Sequence, residues 1–121
     1  MAITSLNIKI TMTKIYKIAE EFSTTPGGRF KKNGPWSGQQ FREDVLNKLL
    51  KETITSKNKL VVVLDGTSGY GSSFLEEAFG GLIRHSEFDK QQLKKYLEIQ
   101  ANDPLYEIYC KSVNRYIHDA C

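Results

Sequence analysis

Apolar positions recur along this chain with two different periods, and the switches between them mark out its elements. Leu6-Asn7-Ile8-Lys9-Ile10 and Ile15-Tyr16-Lys17-Ile18 alternate apolar and polar residues, as strands with one face on a core do. They fit either one long strand or a hairpin. Ser23-Thr24-Thr25-Pro26-Gly27-Gly28 is a dense turn signal, and Asn33-Gly34-Pro35 closes a short strand expected at Arg29-Phe30-Lys31-Lys32. From Ser37 the period lengthens. Phe41, Val45, Leu46, Leu49 and Leu50 form one helical stripe, predicted to run to about Thr53, and Ser37 with Gln40 fits a capping box at its start.

Leu60-Val61-Val62-Val63-Leu64 is a short, continuous, β-branched run, which reads as a central strand buried on both faces. A glycine-rich turn follows. A second helix starts near Ser72, with Phe74, Leu75, Ala78, Phe79, Leu82 and Ile83 on one side, and Gly80-Gly81 is expected to allow close packing on the sheet. Residues 89–95 are polar, a short helix or turn, and Tyr96-Leu97-Glu98-Ile99-Gln100 alternates as a strand again. Asp103 caps a last helix with Pro104 at its first position, where the missing N–H costs nothing. The order predicts one α/β domain over residues 1–121, a layered fold with a mixed sheet of about four strands and three main helices.

Composition narrows the classes of function. The 121 residues include no apolar run near the roughly 20 that a membrane-spanning helix needs, and the alternating start is unlike a signal peptide, so the expectation is a cytoplasmic protein with no membrane contact. A net charge of +3 is too small to announce a nucleic-acid binder. Residues 1–60 carry 11 Lys/Arg against 5 Asp/Glu, and residues 61–121 carry 6 against 9, an asymmetry that solvated surfaces commonly show. Cys110 and Cys121 do not make a disulfide framework, and His85 and His118 have no partners at metal-ligand spacing. Neither a metal nor a cofactor is expected.

The chemistry concentrates where the buried run meets the second helix. Gly66, Gly69 and Gly71 permit tight turns, and Ser72 and Ser73 stand at a helix N-terminus, where free N–H groups favour an anion such as a phosphate carried by serine, although simple capping of the helix is the plainer role for either hydroxyl. Pro26-Gly27-Gly28-Arg29 with Lys31 is a second, weaker anion-binding candidate, a backbone nest with a basic clamp. The pairing of Arg29 with a nearby acid is the plainer reading there. Glu76 and Glu77 look like a catalytic pair, although acids in a first helical turn usually complement the dipole. No histidine or cysteine is placed to activate either serine, so no catalytic residue is assigned.

Three stretches carry a resemblance: residues 26–30, residues 34–42, and above all Gly69-Tyr70-Gly71-Ser72-Ser73-Phe74-Leu75-Glu76-Glu77-Ala78-Phe79-Gly80-Gly81-Leu82. With the elements between them they span roughly residues 14–110. The sequence resembles the STAS-like family of unknown function, small bacterial proteins similar in pattern to anti-sigma-factor antagonist STAS domains. In those antagonists an aspartate ends a buried strand, and a serine pair opens the next helix. One of the serines is phosphorylated by a kinase with a histidine-kinase-like ATPase fold. The resemblance implies Ser73, or Ser72 beside it, as phosphate acceptor. It also implies a partner-docking surface including Asp65, Gly69, Tyr70, Gly71, Phe74, Glu76 and Glu77. Here Gly71 stands where the antagonists have an acid and Phe74 where they have a glycine, in a loop one residue longer. The alternative is a nucleotide or phosphate-ligand binder using the glycine-rich loops and Arg29.

Overall fold

The computed structural model of the protein describes residues 13–85 and 87–121. Three parallel strands stand at its centre in the order β1 (Lys14–Lys17), β2 (Leu60–Val63), β3 (Leu97–Gln100). Ile15, Val61 and Glu98 lie side by side in one row, and Tyr16, Val62 and Ile99 in the next. Because successive side chains point to opposite faces, Tyr16, Leu60, Val62 and Leu97 share one face and merge with the apolar core beneath the helices. On the other face Ile15 is half exposed, and Lys59 pairs with Glu98 at 3.5 Å. Every residue of β2 is buried, as its continuous apolar run predicts for a central strand.

Five helices complete the domain: a single turn α1 (Ile18–Glu21), then α2 (38–56), α3 (72–84), α4 (Lys90–Tyr96) and α5 (Glu107–Asp119). Ser37 accepts the Gln40 backbone N–H at 3.0 Å, but the Gln40 side chain reaches the N–H of Trp36 rather than that of Ser37. The reciprocal half of the expected capping box is therefore displaced by one residue. α2 continues three residues past Thr53, whose hydroxyl is absorbed by the Leu49 carbonyl at 2.6 Å, and stops where Lys57 turns left-handed. Asp89 and Gln92 cap α4 reciprocally. Asp103 caps a 3-10 turn (Pro104–Tyr106) that leads into α5.

Two expectations are corrected. Three strands, not about four, are present among the described residues, and all are parallel, because each connection crosses back through helix and returns the chain to the same end of the sheet. Residues 29–32 form no strand. Lys31–Asn33 is a 3-10 turn, closed by the Asn33 side chain on the Phe30 N–H at 3.1 Å. The alternating stretch at Leu6-Asn7-Ile8-Lys9-Ile10 lies outside the described residues. No helix among the described residues is long and apolar enough to cross a membrane.

Candidate functional site

The carboxyl ends of the strands feed the loops that carry the predicted chemistry, the usual location of function in open α/β sheets. After β2, Leu64 is followed by Asp65, and the chain turns through Gly66 and Gly69 at φ of 93° and 112°. A side chain at 69 would face both that backbone penalty and the Tyr109 hydroxyl, 3.0 Å from where its Cβ would stand. The loop is pinned on three sides. The Asp65 carboxylate accepts the backbone N–H groups of Asn102 and Asp103, the latter at 2.6 Å. Tyr106 donates its hydroxyl to the Thr67 carbonyl, and the Ser68 N–H reaches the Thr24 carbonyl at 2.8 Å. Tyr70 turns inward, donating to the Leu64 carbonyl at 2.7 Å, with its ring between Phe74 and Tyr109. Burial pushes its phenol pKa well above the ordinary value.

From this frame α3 opens with Ser72 and Ser73 as its first two residues. Gly71 is the N-cap and supplies no side-chain cap. Both serines are exposed, and neither hydroxyl hydrogen-bonds to any described residue. Exposed apolar residues lie on the segments that pack against this loop and helix start. The first turn of α2 abuts the backbone of Phe74 at Gly38, and just before it Trp36, 40% exposed, stands edge-on to Phe22 with centroids 5.3 Å apart. Trp36 holds a left-handed φ of 62°, a strained conformation for a bulky residue. Leu105 in the 3-10 turn and Ile108 at the start of α5, 79% and 65% exposed, belong to the segment that Tyr106 ties to Thr67 of the loop.

Several predicted residues face inward instead. Tyr70, Phe74 and Glu77 are buried, so a partner meets none of them without unfolding the helix, and the accessible surface is narrower than the sequence suggests. Asp65 secures the β3–α5 loop. Gly27 donates to the Trp36 carbonyl at 2.7 Å, and the Gly28 and Arg29 carbonyls accept the first N–H groups of α2. Lys31 pairs with Glu43 at 2.8 Å and holds that carboxyl below its ordinary pKa. Both cations of the expected anion-binding turn, Arg29 and Lys31, and its Gly27 amide therefore already have partners.

Glu76 and Glu77 prove to be one half of an ionic cluster. Arg29 reaches them at 2.6 and 3.1 Å, Arg84 at 2.5 and 3.1 Å, and Arg42 reaches Glu77 at 2.5 Å while also donating to the Glu77 carbonyl at 2.8 Å. Arg42 and Glu77 are only 3% exposed. Both helices widen into a π-turn at this contact, over Arg42–Leu46 in α2 and Glu76–Gly80 in α3. Such turns are uncommon inside α-helices and need a local cause. Gly80 and Gly81 follow the two glutamates by four residues, one turn on along the same face. A Cβ on Gly81 would stand 2.5 Å from the Arg42 guanidinium, and one on Gly80 would stand 2.7 Å from the Glu76 carboxylate. Of the glycine pair expected to pack on the sheet, Gly81 thus makes room for an arginine from α2 and Gly80 for the Glu76 carboxylate. Arg42 and Arg84 were not singled out from the sequence, and the signal that finds them is this paired Glu-Glu and Gly-Gly spacing.

Burial pushes the Glu76 and Glu77 carboxyls up, but hydrogen bonds from Arg84 and Arg29 to Glu76, and from Arg42 and Arg29 to Glu77, outweigh it and hold both below the ordinary carboxylate range. Their contribution to stability is complete above the ordinary carboxyl pKa of 4.5 and disappears as pH falls through the lower folded values. We expect a melting temperature that is flat down to about pH 5 and declines below it. Calorimetry on Glu77→Gln checks this, because the variant should start lower and decline less over the same acid range.

No three His, Cys, Asp or Glu side chains among the described residues converge as metal ligands would. No curated protein and no solved structure matches the chain. Residues 37–106 match the family described as a STAS-like domain of unknown function (DUF4325). The match covers more than half of the sequence, and the chain belongs to that family.

Proposed function

We propose that this member of the STAS-like family is a non-enzymatic regulatory module that docks a partner protein through the rim around the start of α3. The observation that carries the reading is the pair of exposed, unbonded hydroxyls of Ser72 and Ser73, together with exposed apolar residues, Trp36, Leu105 and Ile108, on segments that pack against the same loop and helix start. Exposed aromatic and aliphatic groups around a rigid frame are what protein interfaces use as anchors. Neither hydroxyl has a base to activate it among the described residues, which favours binding over hydrolysis.

In this reading Ser73, with Ser72 as its neighbour, accepts a phosphate from a kinase or ATPase of the histidine-kinase-like class. The helix N-terminus stabilises the added charge of about −1.5 to −2 inside the protein, while the exposed apolar residues become a poor match for the same partner. Phosphorylation then releases the partner by desolvation and repulsion.

Two measurements test the two halves separately. Mass spectrometry after incubation with ATP and a kinase encoded beside this protein should find phosphate on the peptide containing Ser72 and Ser73, and an unmodified peptide removes the switch. Affinity capture from the native host should recover a partner with the wild type, with roughly tenfold or more of it lost for Leu105→Asp with Ile108→Asp. Equal recovery by a folded double variant removes the docking surface.

A further inference from the structure

α4, β3 and the second half of α5 enclose an open cleft of about 300 Å³, at the lower end of the range typical of small-molecule sites. It lies away from the rim. α5 begins beside Thr67 and ends at the cleft with Ile117 and His118, and Leu97, which also lines it, is the first residue of β3, at the end of the strand away from the loops. The floor is aliphatic: Leu93, Leu97, Ile99 and Ile117.

The lip is cationic. Lys90 and Lys94 stand on one side a helical turn apart, and no carboxylate is among the lining residues. The Lys90 ammonium donates to the His118 carbonyl at 2.6 Å, which ties α4 to the end of α5 and holds that charge over the cleft. Neither Lys90 nor Lys94 has an ion-pair partner among the described residues, so both charges are available to a ligand. Asn114, on the α5 wall, adds a neutral donor at the mouth.

We propose that this cleft binds a small amphiphilic anion, a carboxylate carrying a saturated chain of roughly ten carbons or fewer, given the cleft's volume. The chain lies on the aliphatic floor, and the head group meets Lys94 and Lys90 at the lip. Apolar burial supplies the affinity, since each methylene removed from water tightens binding about fourfold. The lysines select the sign of the head group. An exposed ion pair of this kind changes affinity only about two- to fivefold, so the head group orients the ligand more than it anchors it.

The inference is tested by titrating the isotope-labelled protein with hexanoate, octanoate and decanoate, with decanol and decyltrimethylammonium as head-group controls, and following backbone amide resonances. We expect saturable shifts centred on Leu97, Ile99 and Ile117, affinity rising about fourfold per methylene until the floor is covered, and weaker binding of both controls. Lys94→Gln should weaken decanoate about two- to fivefold, and Ile117→Trp, which fills the cleft, should abolish binding while the amide spectrum stays dispersed. If the tryptophan variant does not fold, the lysine variant and the control ligands decide. Decanol binding as tightly as decanoate, shifts spread over other surfaces, or no saturation overturns the proposal. A leucine-bearing acidic peptide that shifts these resonances where decanoate does not would also overturn it, and would assign the groove to a protein partner.

Discussion

Replacing Glu77 with alanine should remove about 3–5 kcal/mol of stability, the usual cost of breaking a buried ion pair from one side. The Arg42 guanidinium would stay buried between α2 and α3 with the Glu77 carbonyl at 2.8 Å and the neighbouring Glu43 carboxylate at 3.4 Å as its remaining partners. Arg29 would lose one of its two carboxylate bonds and Arg84 one of its three, and both would crowd Glu76 with like charge. Urea unfolding at constant slope measures the loss. The companion double variant, Arg42→Met with Glu77→Leu, removes both charges from the same space, and it should recover most of the stability because the desolvation of two ions is no longer incurred. If the single variant costs less than about 1 kcal/mol, the cluster is a surface feature and the π-turns have another cause.

The second large effect is expected at Gly38. Its Cα faces the main chain of Phe74 so closely that a methyl group would overlap the Phe74 carbonyl oxygen and crowd its carbonyl and α carbons at about 3.1 Å. Main-chain atoms cannot swing away as a side chain can, so the first turns of α2 and α3 must separate. That separation would lift Phe41 from its contact with Phe74, whose ring centroids are 6.0 Å apart. Gly38→Ala should therefore cost about 3 kcal/mol, the upper part of the range for overpacking, although alanine is the better helix former by nearly 1 kcal/mol. Gly71→Ala, which meets nothing within 4 Å, is the matched control and should leave the melting temperature almost unchanged. Comparable losses in the two variants would show that intrinsic helix preferences, not the crossing, decide the outcome.

Both effects arise from contacts between elements that the sequence describes one at a time. Ser37 identified the start of α2, and the run from Leu60 to Leu64 identified the central strand, because a capping hydroxyl and a continuous apolar run act within a few residues. The serine pair at the opening of α3 was legible for the same reason, since the three glycines before it break the chain locally. Its hydroxyls being free was not legible: any serine near a helix start can cap it, and only the extended backbone at Gly71 makes that glycine the cap instead. Likewise Glu76 and Glu77 read as ordinary first-turn acids until Arg29, Arg42 and Arg84 arrive from distant positions.

The order of elements, the buried β2 and the placement of Ser72 and Ser73 were determined by the sequence itself, through hydrophobic period and turn chemistry that operate over short distances. Tertiary structure decided that Tyr70, Phe74 and Glu77 turn inward, that Gly81 receives Arg42, and that Leu105 and Ile108 remain exposed on the segment tied to the loop. Those outcomes depend on which helix faces cross and how closely, and the energy of a charge or a methyl group at a crossing is set by what stands opposite it.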